Sequence, residues 1–135
     1  MLCVLVDDVR RFLDDRDCVV YRTSRDAVCG LTALAEADTV IDQLWLDHDL
    51  GADDTIRPAL ALLEELAYQG RPLRVGKAFV ITSNPTGGHV IGGLLRRLGY
   101  HCDPLPIDIS SPPVRWMSEC AASWPDIGLA RPTSA

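Results

Sequence analysis

The chain has 135 residues, 47% of them apolar, which is enough for the core of one domain and too short for a second. Its formal net charge of −6 argues against a surface for duplex nucleic acid, because such a surface needs clustered Lys and Arg. No apolar run approaches the roughly 20 residues of a membrane-spanning helix, and no membrane partner is expected. Five cysteines without a CxxC spacing are typical of free thiols in a reducing compartment, so we expect a cytoplasmic protein.

The N-terminal part of the chain predicts two strands and a helix. Residues 2–6 form a short, wholly apolar run that is followed directly by two aspartates. This pattern is typical of a strand that is buried on both faces. Residues 9–17 are too polar for a full amphipathic helix and predict a loop or one short turn. Residues 18–21 predict a second, weaker strand, after which Thr23 or Ser24 caps a helix whose apolar residues recur at helical spacing.

The strand–helix alternation continues through the middle of the chain. Residues 41–46 predict a third strand, and Thr55 is the expected N-cap of a helix that Gly70 terminates. Residues 78–81 predict a fourth strand, and a glycine-rich helix is expected over residues 86–98. Alternation of this kind implies right-handed crossovers and a parallel sheet covered on both faces.

Proline content sets the predicted domain boundary. Residues 100–102 predict a short fifth strand, and the alternation stops from Pro104 onward. We assign residues 1–103 to an α/β domain and residues 104–135 to a proline-rich extension that packs on the domain or trails from it, with one short helix within 110–124. The predicted fold is a single doubly wound parallel sheet of about five strands in the order 2-1-3-4-5.

Acidic or hydroxyl side chains follow three of the predicted strands. The carboxyl ends of parallel strands meet at one edge of a sheet, where ligands bind. Crowded carboxylates repel one another, and a hard cation such as Mg²⁺ or Mn²⁺ relieves the repulsion and recruits phosphate. A single Asp at a strand end is explained by its preference for turns, but this explanation is weaker for several strand ends. The residues are Asp7 and Asp8 after the first strand, Asp47 and Asp49 after the third, and Thr82 and Ser83 after the fourth.

Three segments carry a family resemblance: VLVDDVR near the N-terminus, LWLDHDLG at the third strand and FVITSNPTGG at the fourth. Together they resemble the cyclic-phosphate processing receiver domains, a divergent branch of the response-regulator receiver fold. The resemblance covers about residues 2–102. It implies a receiver-like, flavodoxin-like fold. It also implies that the protein binds a phosphorylated small molecule or nucleotide, with a cyclic phosphate as the more specific candidate.

The resemblance also implies roles for the acidic residues. By position, Asp7, Asp8 and Asp47 become ligands of Mg²⁺ or Mn²⁺. Asp47 is in addition the phosphoacceptor-like carboxylate, and Thr82 is the hydroxyl that contacts a phosphoryl group. Asp49 is characteristic of this branch. Because it lies two residues beyond a potential nucleophile, it is a candidate general acid or base or a further metal ligand.

Phosphate-binding residues are expected around this metal site. Arg10, in the DDxR pattern, adds positive charge, Thr82 and Ser83 offer hydroxyls, and Gly87 offers a backbone N–H at a helix start. For His48 a catalytic and a structural role are both open, because neighbouring residues on an extended strand point to opposite sides.

Two departures from ordinary receivers argue against phosphorelay signalling. The chain lacks a lysine at the end of the predicted fifth strand, since Lys77 lies at the wrong end of the fourth, and the helix between the first two strands is reduced. We therefore expect a metal-dependent domain that binds or processes a phosphorylated ligand, with turnover left open. The alternative is a non-catalytic receiver-like module with a vestigial or regulatory metal site and a protein partner. The proline-rich extension from Pro104 also suits an adaptor or inhibitor.

Overall fold

A computed structural model of the chain describes residues 1–10, 12, 17–51, 53–82 and 84–103, together with the backbone of residues 107–108. Five strands and three helices lie within these residues. Their bounds are β1 Cys3–Val6, β2 Cys18–Tyr21, α1 Ser24–Glu36, β3 Val40–Leu46, α2 Arg57–Tyr68, β4 Arg74–Thr82, α3 Pro85–Arg97 and β5 Ile107–Asp108. None of the described helices has the length and apolar character needed to cross a membrane.

The strands form one parallel sheet in the order β2-β1-β3-β4-β5, which confirms the predicted fold class. β1 is flanked by β2 and β3, and its last residue, Val6, pairs with Leu46, the last residue of β3. The backbone N–H of Asp47 continues this pairing by donating to the Val6 carbonyl at 3.0 Å. The register therefore brings Asp7 and Asp47, the next residue of each strand, to the same edge of the sheet.

Two apolar clusters cover the two faces of the sheet. The first joins side chains of all three described helices, such as Leu31, Leu63 and Leu95, to alternate residues of β1, β3 and β4. The second is built around Leu5 and Trp45 and includes no residue of the described helices. The alternation of side chains along each strand thus supplies a helix-covered face and a second apolar face, as expected for a sheet with two buried sides.

The two predicted N-caps have different outcomes. Thr23 caps α1, since its side chain accepts a hydrogen bond from the Asp26 N–H at 3.1 Å. The N-cap of α2 is Ile56, one residue after the predicted Thr55, and Ile56 makes no side-chain cap bond. The Thr55 hydroxyl nevertheless accepts a hydrogen bond from the Arg57 N–H, at 3.3 Å. The Thr55 backbone also forms an isolated antiparallel bridge with Asp49, in the loop after β3.

The ends of the sheet also differ from the sequence prediction. β4 begins at Arg74, earlier than predicted, because pairing with Val40 supplies its hydrogen bonds whatever the polarity of its side chains. The prediction of a fifth strand at residues 100–102 is wrong, because Cys102 makes only an isolated bridge with Ala78 and β5 lies at Ile107–Asp108. The predicted helix within 110–124 lies outside the described residues, and the division of the chain at residue 103 stays a prediction.

We expect the register-setting strand β3 to be sensitive at its buried end. Leu46→Ala removes a fully buried side chain and should lower the free energy of unfolding by about 2–5 kcal/mol. Val40→Ala, in the same strand but 40% exposed, is the control and should cost less than about 1 kcal/mol. Urea unfolding measures both, and equal losses would contradict the packing described here.

Candidate metal centre

Three carboxylates meet at the carboxyl edge of the sheet. Each of Asp7, Asp8 and Asp47 offers an oxygen, and these oxygens all lie within 4.8 Å of one another. Asp7 is fully buried and Asp47 is only 6% exposed, whereas Asp8 is half-buried. A cluster of oxygen donors without thiolate or imidazole fits a hard cation such as Mg²⁺ or Mn²⁺.

Asp7 also organises the turn that follows β1. Its Oδ1 accepts hydrogen bonds from the backbone N–H groups of Val9, at 2.9 Å, and Arg10, at 2.8 Å. Its Oδ2 accepts from the Arg10 guanidinium at 3.1 Å. Asp side chains favour such turns because they mimic a backbone carbonyl. The carboxylate therefore shapes its own loop through Oδ1 and pairs with Arg10 through Oδ2.

Two arginines lie beside the carboxylates. Nη1 of Arg10 is 3.1 Å from Asp7 Oδ2 and 3.5 Å from Asp47 Oδ2, so it bridges the two acids. Nη1 of Arg22 donates instead to the main-chain carbonyls of Asp7, at 3.2 Å, and Arg10. Sequence reasoning missed Arg22. The sequence feature that points to Arg22 is its position directly after the second strand, at the same edge of the sheet as the clustered aspartates.

The charges of this site are not balanced. The pKa of Asp47 is raised to about 7, chiefly by burial and next by the charge of Asp7, while Arg10 acts in the opposite direction. The pKa of Asp8 is raised as well, again by burial first and then by Asp7. Arg10 therefore offsets the crowded negative charge only in part, and an additional cation would stabilise the ionised carboxylates.

Asp49 lies outside this group of carboxylates. Its side chain is 54% exposed, and its Oδ1 is 3.0 Å from Nδ1 of His48. Its Oδ2 accepts a hydrogen bond from Asn84 Nδ2 at 3.3 Å. The hydrogen bond with His48 is the main reason that the pKa of Asp49 is lowered. Asp49 thus connects the loop after β3 to the start of α3.

His48 packs against the first turn of α3. The residue is only 8% exposed, and its ring lies so close to Gly87 that a Cβ there would be 2.5 Å from His48 Cγ. This contact supports a structural role for His48, which was one of the two roles left open by the sequence. The glycine is required here for close approach of the ring.

The start of α3 uses most of its own polar groups. The Thr82 hydroxyl accepts from the Asn84 N–H at 2.8 Å and lies 3.2 Å from the Asn84 carbonyl, to which it donates. The Gly87 N–H, predicted to bind phosphate, donates to Asn84 Oδ1 at 3.0 Å. Ser83 lies outside the described residues. The phosphate-binding roles of Thr82, Ser83, Gly87 and Arg10 stay predictions, as do the catalytic roles of Asp47 and Asp49.

A comparison with protein-family models matches residues 2–97 to the cyclic-phosphate processing receiver domain. The chain belongs to this family. The match runs from β1 through α3 and includes the three clustered carboxylates as well as Arg10 and Asp49. Comparisons with curated proteins and with solved structures gave no match.

This receiver domain has one lysine, Lys77, and it is far from the acidic edge along its strand. Lys77 pairs with Gln43 in the sheet, and its Nζ lies 3.5 Å from a carboxylate oxygen of Asp103. The chain therefore cannot place a lysine ammonium beside Asp47. Among the described residues, the guanidinium of Arg10 is the cationic group that contacts the clustered carboxylates.

The contact between His48 and Gly87 predicts opposite effects for two glycine substitutions in α3. Gly87→Ala should lower the free energy of unfolding by about 1–3 kcal/mol, because its Cβ would overlap the buried ring. Gly93→Ala is the control, since its Cβ would meet only Arg97 Nη1, at 3.6 Å. It should be neutral or stabilising by up to about 1 kcal/mol through helix propensity. Denaturant unfolding distinguishes these outcomes, and a stabilising Gly87→Ala would refute the contact.

The raised pKa of Asp47 predicts that metal-free protein loses stability as the pH rises. Folding retains a proton on Asp47 up to about pH 7, whereas a free Asp side chain releases it near 3.8. The stabilisation is complete below pH 3.8, the pKa of a free Asp side chain, and is lost as the pH rises through about 7, the pKa of Asp47 in the folded protein. Between pH 5 and pH 8 in EDTA, we expect a loss on the order of 1–4 kcal/mol. Asp47→Asn should remove most of that slope, and an unchanged slope in this variant would assign it to other groups.

Proposed function

We propose that this receiver domain binds Mg²⁺ or Mn²⁺ through Asp7, Asp8 and Asp47 and thereby binds or processes a phosphorylated small molecule or nucleotide. The observation that supports this most directly is the set of three carboxylates with oxygens within 4.8 Å of one another. They lie at the edge of a parallel sheet where ligands of such folds bind. A cyclic phosphate is the more specific substrate class, since the description of the family names it.

Asp47 is the proposed nucleophile or phosphoacceptor. With a pKa of about 7 it is partly protonated at neutral pH when no cation is bound, and a protonated carboxyl is a poor nucleophile. A bound divalent cation supplies positive charge that ionises the acid and offsets the charge of the phosphate. The position of Asp47 beside Arg10 also gives an incoming phosphate a cationic partner.

Thr82 and Asp49 complete the proposed site. Thr82 is 2% exposed, and its hydroxyl proton would turn from the Asn84 carbonyl to a phosphoryl oxygen. Asp49 is exposed and has a lowered pKa, so it is ionised at neutral pH and suits a base better than an acid. In the hydrolysis of a cyclic phosphate, an Asp47 carboxylate oxygen would bond to phosphorus while one ester phosphorus–oxygen bond breaks and the released oxygen takes a proton from solvent. Asp49 would then accept a proton from the water that hydrolyses the aspartyl phosphate and return it to solvent.

The test uses metal-loaded protein with a small phosphodonor and with 2′,3′-cyclic and linear nucleotide phosphates. We expect covalent labelling or ring opening that EDTA abolishes and Mn²⁺ restores, because the acids repel phosphate without a cation. Asp47→Asn should reduce the rate by at least about 100-fold while the fold is kept. Asp49→Asn should lower kcat by about 10- to 100-fold and leave Mn²⁺ affinity unchanged if it acts as a base.

Asp38→Asn is the matched control for these substitutions. Asp38 is exposed and forms an ion pair with Arg74 at the opposite edge of the sheet, so the same change there should alter neither metal binding nor turnover. Protein that binds Mn²⁺ but shows neither labelling nor turnover with any of these substrates would favour the alternative, a non-catalytic receiver-like interaction module.

A further inference from the structure

The Arg10 guanidinium lies where a cation is needed. It contacts Oδ2 of Asp7 at 3.1 Å and Oδ2 of Asp47 at 3.5 Å. Asp7 Oδ1 already accepts two backbone N–H groups, so Oδ2 is the oxygen that remains for a metal ion. Arg10 and a divalent cation would therefore use the same oxygen of Asp7.

We propose that Arg10 is an exchangeable internal cation of the metal centre. In the metal-free protein it pairs with Asp7 and Asp47; a divalent cation displaces it, and the freed guanidinium then forms the subsite for a phosphate group. The phosphate part of this inference rests on the proposed function, in which the protein binds a phosphorylated ligand. It predicts an order of binding, with metal first and phosphate second.

The loop is built so that only the Arg10 side chain has to move. The Arg10 N–H is bonded to Asp7 Oδ1, and its carbonyl accepts a hydrogen bond from Arg22, which also holds the carbonyl of Asp7. The main chain is thus fixed on both sides of the exchange. The Arg10 side chain is 19% exposed, so solvent reaches it at the edge of the site.

The charges favour this exchange. A divalent cation offers the carboxylates twice the charge of a guanidinium and repels the guanidinium at short range. The freed guanidinium forms charge-assisted, bidentate hydrogen bonds to phosphate oxygens. Arg22 is a poor substitute because its Nη1 is bonded to main-chain carbonyls, and Lys77 is paired with Asp103. Arg10 is therefore the described side chain best placed to bind the phosphate.

The experiment measures two affinities in Arg10→Gln. Mn²⁺ binding is followed by electron paramagnetic resonance in phosphate-free buffer, and binding of inorganic phosphate to Mn²⁺-loaded protein by calorimetry. We expect Mn²⁺ to bind about threefold more tightly or better, because its competitor is gone. Phosphate should bind about tenfold more weakly or worse, because its cationic partner is gone.

Arg74→Gln is the control, since it removes the same charge from an exposed ion pair, at 3.3 Å, remote from the site. It should change neither affinity. If Arg10→Gln does not fold by circular dichroism, Arg10→Lys replaces it, and this variant should bind phosphate more weakly while Mn²⁺ binding is no weaker. Weaker Mn²⁺ binding or unchanged phosphate binding in the folded Arg10 variant would overturn the exchange. Failure of the parent protein to bind Mn²⁺ would overturn the proposed function as well, so the two failures are distinguishable.

Discussion

The buried carboxylate of Asp7 is the interaction on which the acidic edge depends. A fully buried charge is costly unless hydrogen bonds compensate it, and this one accepts two backbone N–H groups and the Arg10 guanidinium. Those bonds shape the turn after β1 and place Arg10 beside Asp47. The charge of Asp7 also contributes to the raised pKa of Asp47 and Asp8. Local structure and the electrostatics of the site therefore have the same origin.

The clustered acids are held by the sheet, whereas Asp49 is joined to the start of α3. In-register pairing of β1 with β3 fixes the distance between Asp7 and Asp47, and strands are rigid supports for such a constellation. Asp49 reaches in the other direction, through His48 and Asn84, to the N-terminus of α3. The loop after β3 is therefore joined to the start of α3 by hydrogen bonds of polar side chains.

In this receiver domain the cationic side chain beside the carboxylates comes from the loop after β1. The single lysine of the domain is held at the other end of β4 by Asp103, and Arg10 of the first loop lies at the carboxylates. Because Arg10 pairs directly with the residues that suit a metal, cation and phosphate binding would be linked at one side chain.

The sequence by itself determined the fold class and the acidic edge, because apolar strand periods, helical spacing and acids at strand ends are local patterns that crossover rules convert into a topology. Tertiary structure alone decided the partners. The Asp49 carboxylate contacts His48 and does not join the other acids. The missing side chain of Gly87 allows close approach of the His48 ring, and Arg22 donates a hydrogen bond to the carbonyl of Asp7 after β1. Asp49 and His48 are neighbours in one loop, but the contacts of Gly87 and Arg22 join residues from different elements. The distances of those contacts depend on how the sheet twists and how the helices pack against it.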